Sequence, residues 1–289
     1  MNWTGLLTVL IDGVTYGMLF FLFSIGLSIT LGLMRFINLA HGAFAMMGGY
    51  LVVLLVGSLG MPFLLALPLC FALTGVFGAV LERLLIQHVY AKSELQHVLF
   101  SIGLAFAAGA IANILFGPQQ QPIPLPDWAE AKVVLLGATT TGYRMFILAA
   151  GAAALALLMA LFQRSLFGAR VRAAVDRRRT AEGIGINVGR LFALTFGLGA
   201  ACAGLGGGLA VGLLGLDPSF PLKYLVIVLM IVAIGGPGSI LGSFLAALFL
   251  GVVDAVFKYY LPVAGSFVIY ALLVLTMVFV PKGFMGRKS

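Results

Sequence analysis

Charge is what this chain has least of. Asp, Glu, Lys and Arg make up 9% of its 289 residues against 62% apolar side chains, and the mean hydropathy is +1.15. Uncharged runs this long exclude an ordinary soluble fold and put the chain in a bilayer. Cysteine and histidine are almost as scarce. Cys70 and Cys202 each sit inside an apolar run, which excludes a disulfide framework, and the three histidines are scattered without metal-ligand spacing. GxxxxGK[ST], HExxH and GxSxG are all missing, so no nucleotide cradle of that type, no metal and no catalytic residue is expected. The first apolar run is preceded by neither a basic segment nor a small-x-small cleavage site, and it is expected to be an uncleaved helix. A formal net charge of +8 would suggest nucleic acid in a soluble protein. Here the excess sits mainly in one loop and at the C-terminal end, as the positive-inside rule expects, and nucleic acid is not an expected partner.

What is present divides into spans of about 20 apolar residues. Gly13 to Met34 makes the first, extended back to about Leu6. The run from Phe36 to Leu81 is too long for one span and is cut in two by GSLGMP at Gly57 to Pro62. Leu95 to Phe116, Tyr143 to Phe162 and Leu191 to Leu216 follow. Tyr224 to Val253 is interrupted by glycines at Gly235 to Ser239, and Tyr259 to Val280 comes last. The fold class expected is an all-α polytopic membrane protein, about eight transmembrane helices plus a broken or re-entrant segment. It forms a single transmembrane domain over 1–289, with an outer loop at 117–142, whose PQQQPIPLPDWAE stretch at Pro118 to Glu130 reads as irregular, and a hydrophilic loop at 164–190.

That second loop, RSLFGARVRAAVDRRRTAEGIGINVGR, holds seven arginines: Arg164, Arg170, Arg172, Arg177, Arg178, Arg179 and Arg190. With the tail residues Lys282, Arg287 and Lys288 it is expected on the cytoplasmic side, which by parity puts the N-terminus outside and the C-terminus in the cytoplasm. The stretch from Leu222 to Tyr260 must then go in and come back out. A short helix over Leu222 to Ile234, turning at the glycines into a second from Ser239, satisfies this. Val171 to Ala181 reads as a short helix ended by Gly183 and Gly185. Anionic lipid head groups would satisfy its arginines, but Asp176, Glu182 and the apolar Ala173, Ala174 and Ile184 favour a protein partner.

Other positions carry more than one reading. Gly204, Gly208 and Gly212 form a small-residue ladder suited to helix packing, to dimerisation or to lining a pore. Asn38, His41 and Gly42 interrupt an apolar run, and with Gly235, Gly236, Gly238 and Ser239 they are the candidates for a translocation pathway. Asn38 and His41 face either a cavity or a structural hydrogen bond. Glu82 and Arg83 read as ion-pairing or anchoring residues, and Asp12 and Asp254 as proton or ion sites or as residues of a wet vestibule.

INLAHG at Ile37 to Gly42, Glu82-Arg83, SIGL at Ser101 to Leu104, FGP at Phe116 to Pro118, GINVGR with ALTFGLGAACAGLGG, GGPGSILGS at Gly235 to Ser243, and PKGFMGR near the end occur in an order spanning nearly the whole chain. In these the chain resembles the permeases of branched-chain amino acid ABC importers of the LivH type. The resemblance implies a translocating subunit that pairs with a second permease copy or paralogue, two cytoplasmic ATPases and a periplasmic binding protein. No cofactor is expected on this chain; ATP and Mg would be bound by the partner subunits. It further implies that Arg170, Arg172, Asp176, Arg177, Glu182, Gly183, Ile184 and Asn187 meet an ATPase. Where the family tends to have Gly followed by Lys-Ala-Phe, this chain reads PLKYLV at Pro221 to Val226, keeping Lys223. Branched-chain amino acids, other amino acids, urea and short amides all remain open as solutes. An ion-gradient-driven secondary transporter is the alternative, and it would need carboxylates or histidines deep in the bundle.

Overall fold

The computed structural model of the chain describes residues 3–34 and 36–279. Arg35 and the basic tail residues Lys282, Arg287 and Lys288 lie outside the described residues. Helix α1 runs Trp3–Met34, and α2, His41–Val52, continues through a π-helical turn at Val53–Ser58. After α3 (Phe63–Leu84) and α4 (Glu94–Phe116) come a short α5 (Asp127–Glu130) and the strands β1 (Lys132–Leu135) and β2 (Ala138–Thr141). Helix α6, Gly142–Met159, extends through a π-helical turn to Arg164 and is followed by α7 (Leu166–Asp176) and α8 (Arg178–Gly183). Then come α9 (Val188–Leu214), α10 (Phe220–Lys223), α11 (Leu225–Gly235), α12 (Ile240–Tyr260) and α13 (Pro262–Phe279). Among the described residues seven helical stretches are long and apolar enough to cross a membrane, and Phe220–Gly235 is a shorter apolar piece.

Helix α1 is the axis of the bundle. Gly13, Gly17 and Ser28 fall on one face and meet α12, with Gly32 on that face against the Pro237–Gly238 turn, while Leu22, Phe23 and Gly26 fall on the opposite face and meet α9. A Cβ on Gly251 would overlap the Gly17 backbone, and one on Gly199 would lie 2.8 Å from Gly26 Cα. Both crossings therefore bring backbones together, as small residues allow in a membrane. On its other side α9 packs against α2 and α3. Gly204 abuts Gly48 and Thr74, Gly208 abuts Val52, Leu67 and Cys70, and Gly212 abuts the Tyr143 ring. The ladder of glycines thus serves contacts within the chain. Cys70 is buried at this crossing, its Sγ 3.2 Å from Gly48 O and 3.3 Å from Gly204 O.

Two expectations need correction. Residues 117–126 are largely irregular, but Asp127–Glu130 of the stretch read as irregular form α5, and an antiparallel hairpin turning at Leu136 and Gly137, with φ of 53° and 88°, follows it. β-Branched residues at Val133, Val134 and Thr139 to Thr141 favour the strands, and two positive φ values suit the tight turn. The arginine-rich loop is not one helix over Val171 to Ala181. It breaks at Arg177 (φ −146°, ψ 81°), and α7 starts earlier, at Leu166, where the Ser165 hydroxyl accepts from Gly168 N. The break turns α8 toward α9, where Arg178 pairs with Glu182 at 2.9 Å and sits 6.0 Å from the Phe192 ring.

Candidate functional site: interrupted helices and an arginine-rich groove

Helix interruptions inside an apolar bundle need protein or water beside them, because lipid cannot satisfy their backbone groups. The first interruption is Phe36–Ala40, a non-helical stretch ending in a turn at Leu39–Ala40, after which α2 begins against the Gly26 level of α1. The second is the α9–α10–α11 link. Phe220 and Tyr224 pack on Phe20 and Phe23, about halfway along a helix roughly 48 Å long at 1.5 Å per residue. The two meet: a Cβ on Gly42 would lie 2.9 Å from Pro221 O. His41 is 2% exposed, its ring against Gly26 where that glycine crosses Gly199. Asn38 Oδ1 accepts from Ala40 N, whereas Asn38 Nδ2 and His41 Nε2 have no hydrogen-bond partner among the described residues.

Gly235 to Ser239 lie elsewhere. Helix α11, about 16 Å long, covers roughly half a bilayer core. Gly236 and Gly238 turn the chain with φ of 85° and 79°, Gly238 N donates to Ser28 O, and the Ser239 hydroxyl caps α12 by accepting from Gly242 N. This tip faces α1 on its α12 side, with Gly32 pressed against Gly238. The two groups of candidate pathway residues are therefore on opposite sides of α1, and Gly42 is met by Pro221 rather than by the glycine turn. The tip instead shares a cavity of about 340 Å³ with Val171 and Arg172 of α7.

At that same end the hydrophilic loop builds a groove of about 760 Å³ between α7 and the start of α9, lined by Phe167, Arg170, Ile184, Asn187, Arg190 and Leu194 among others. Ile184 is 72% exposed, an apolar side chain presented among arginines. The groove gathers Arg170, Ile184 and Asn187 from the expected interface; Asn187 also caps α9 by accepting from Arg190 N. Arg172 folds back, its guanidinium donating to Phe162 O, so it braces the elbow between α6 and α7. Asp176 and Arg177 are exposed at the α7–α8 joint, Glu182 is engaged by Arg178, and Gly183 ends α8.

Two of the carboxylates singled out from the sequence are ion-paired. Asp12 contacts Arg144 at 2.9 Å, and buried Asp254 contacts Lys258 at 2.7 Å. Glu82 is buried and accepts from the Tyr90 hydroxyl at 2.8 Å, while Arg83 is exposed. Burial first, and the Glu82 carboxylate second, push the Tyr90 phenol well above its ordinary value, so it stays a donor. No group of residues able to hold a metal ion occurs among the described residues. Sequence reasoning missed α10 as a site element; the signal was DPSFPLK at Asp217 to Lys223, a polar, proline-broken stretch between two apolar runs.

Comparison with known proteins gives this arrangement a relationship. The family described as "Branched-chain amino acid transport system / permease component" matches residues 9–277. The chain is 28% identical to the high-affinity branched-chain amino acid transport system permease protein LivH of Salmonella typhimurium, over 96% of this chain and 94% of that one. It is 27% identical to LivH of Escherichia coli K12 and to BraD of Pseudomonas aeruginosa, covering 96% of this chain and 94% and 95% of theirs. A solved structure titled PsaBC from Streptococcus pneumoniae in complex with Fab shares the fold at a TM-score of 0.50 and 15% identity, over 96% of this chain and 91% of that one. With apolar helices packed through glycine crossings along nearly all of the matched length, the chain belongs to the branched-chain amino acid transport permease family and is a multi-pass protein of the cytoplasmic membrane.

Proposed function

We propose that this chain is the membrane-spanning permease subunit of an ATP-driven ABC importer, translocating branched-chain or related amino acids delivered by a periplasmic binding protein. Its partners are a second permease subunit, copy or paralogue, and two cytoplasmic ATPases that bind ATP and Mg. The N-terminus and the β1–β2 hairpin are outside, and the arginine-rich groove and C-terminus are in the cytoplasm, in keeping with the positive-inside rule. The observation that carries the reading is the groove of Arg170, Ile184, Asn187 and Arg190, which offers an apolar anchor ringed by cations at one end of the bundle. A protein surface with an apolar knob and acidic rim complements it. The ion-gradient alternative is weakened by Asp12 and Asp254, whose carboxylates already face Arg144 and Lys258.

In this mechanism closure of the ATPases pushes the groove. The elbow fixed by Ser165, Gly168 and Arg172 passes the motion on as a rigid lever, and the interrupted helices switch access between the two sides. Charge reversal at Arg170 together with Arg190 is expected to lower substrate-stimulated ATP hydrolysis at least about tenfold, and to release the ATPase from the purified complex. A complex that keeps both its ATPase and its stimulation after this change contradicts docking here. Arg172→Glu is a poorer probe, since it also removes the brace on Phe162.

A further inference from the structure

The polar link between α9 and α10 has no task in the packing described so far. Asp217, Pro218, Ser219 and Lys223 line an open pocket of about 480 Å³ with Asn113, Pro118 and Gln120, at the end of α9 remote from the arginine-rich groove. Its walls are held by backbone: Gln121 N donates to Leu216 O, and Gln120 Nε2 donates to Leu214 O at 2.9 Å. Asp217 is aimed by its neighbours, Oδ1 accepting from Ser219 N at 2.9 Å and from the Ser219 hydroxyl. Its other oxygen, Oδ2, faces Lys223 Nζ at 3.9 Å, beyond hydrogen-bond range, and the lysine is half exposed. Lys223 precedes Tyr224, which packs halfway along α1, and its half-exposed ammonium opens into the pocket at the end of α9, between two apolar helices. A lysine and an aspartate in such a place need water or a charged ligand beside them.

Resting on the importer reading above, we infer that Lys223 and Asp217 line the solute passage and recognise a zwitterionic α-amino acid, Lys223 receiving the α-carboxylate and Asp217 Oδ2 the α-ammonium. The two groups stand side by side at a separation comparable to that of the two charges on one α-carbon, and a zwitterion lying across them adds two charge-assisted hydrogen bonds to one weak ion pair. Pro118 and Pro218 are the apolar residues of the same lining. A neutral solute such as urea gains nothing from this pair.

The test uses the full chain in its assembled transporter, reconstituted in lipid vesicles, carrying Lys223→Cys. Cys70 and Cys202 are buried, so the new thiol is the accessible target. Leucine, held by Asp217, is expected to slow its modification by a thiosulfonate reagent at least about fivefold, and isocaproate, which lacks the α-ammonium, to be at least about tenfold less effective. Attachment of an aminoethyl group restores leucine uptake to within about twofold of the wild-type chain, and a sulfonatoethyl group does not. Asp217→Asn raises the KM for leucine with little change in kcat, while Asp217→Glu keeps both. Equal modification rates with and without leucine, or rescue by both reagents, overturn the inference alone when the wild-type transporter takes up leucine with ATP. Failure of the wild-type transporter to take up leucine overturns both it and the importer reading.

Discussion

Glycines decide how closely the helices of this chain approach, and each is legible only in part before its partner is known. A Cβ on Gly207 would overlap Ala45 O, and one on Gly48 would overlap Gly204. Because backbone lies on the far side, neither contact can relax by a rotamer change. Gly207→Ala is expected to destabilise the chain by about 1–3 kcal/mol, read as a lowered Tm in detergent. An unchanged Tm would mean that α2 and α9 are not in backbone contact. The spacing of Gly204, Gly208 and Gly212 revealed a shared face, but not that Thr74, Cys70 and Tyr143 fill it, since those residues come from other helices. Likewise Asp254 has its partner one turn away at Lys258, within reach of helical periodicity, whereas Asp12 pairs with Arg144 from a distant segment that no local pattern announces.

Breaks in the helices followed the strength of their local chemistry. GGPGS marked the α11–α12 turn because two left-handed glycines and a proline leave few other conformations. The split at Arg177 left no such mark: one residue leaves the helical region without a glycine or proline to signal it. The β1–β2 hairpin was hidden by the prolines ahead of it. At this scale α1 and α12 form one unit, joined by Gly13, Gly17 and Gly251 and by the Ser243 hydroxyl donating to Ser28 Oγ at 2.8 Å. Helices in backbone contact do not slide without first separating. Cross-linking Ser28→Cys to Ser243→Cys is therefore expected to leave leucine uptake within about twofold of the reduced protein. Loss of uptake on oxidation, regained on reduction, would show that α12 moves against α1 during transport.

The whole molecule couples an apolar bundle to a polar end. Helix α1 separates the α2–α10 junction from the α11–α12 tip, and the tip alone lies beside α7 across the shared cavity. Composition and span length made the membrane class and the arginine-rich loop legible, because both are summed over many residues. Which interruptions meet depends on tertiary packing, and so the contact of Pro221 with Gly42 and the pairing of Asp217 with Lys223 emerged only with the structure. The central claim is that transport takes its energy through the cytoplasmic groove, from a separate ATPase. Uptake of labelled leucine into vesicles holding the assembled transporter and its binding protein, with ATP and ion gradients varied independently, tests it most directly. Uptake is predicted to require ATP hydrolysis and to persist when proton and sodium gradients are collapsed. Uptake by this chain alone, driven by either gradient without ATP, would contradict it.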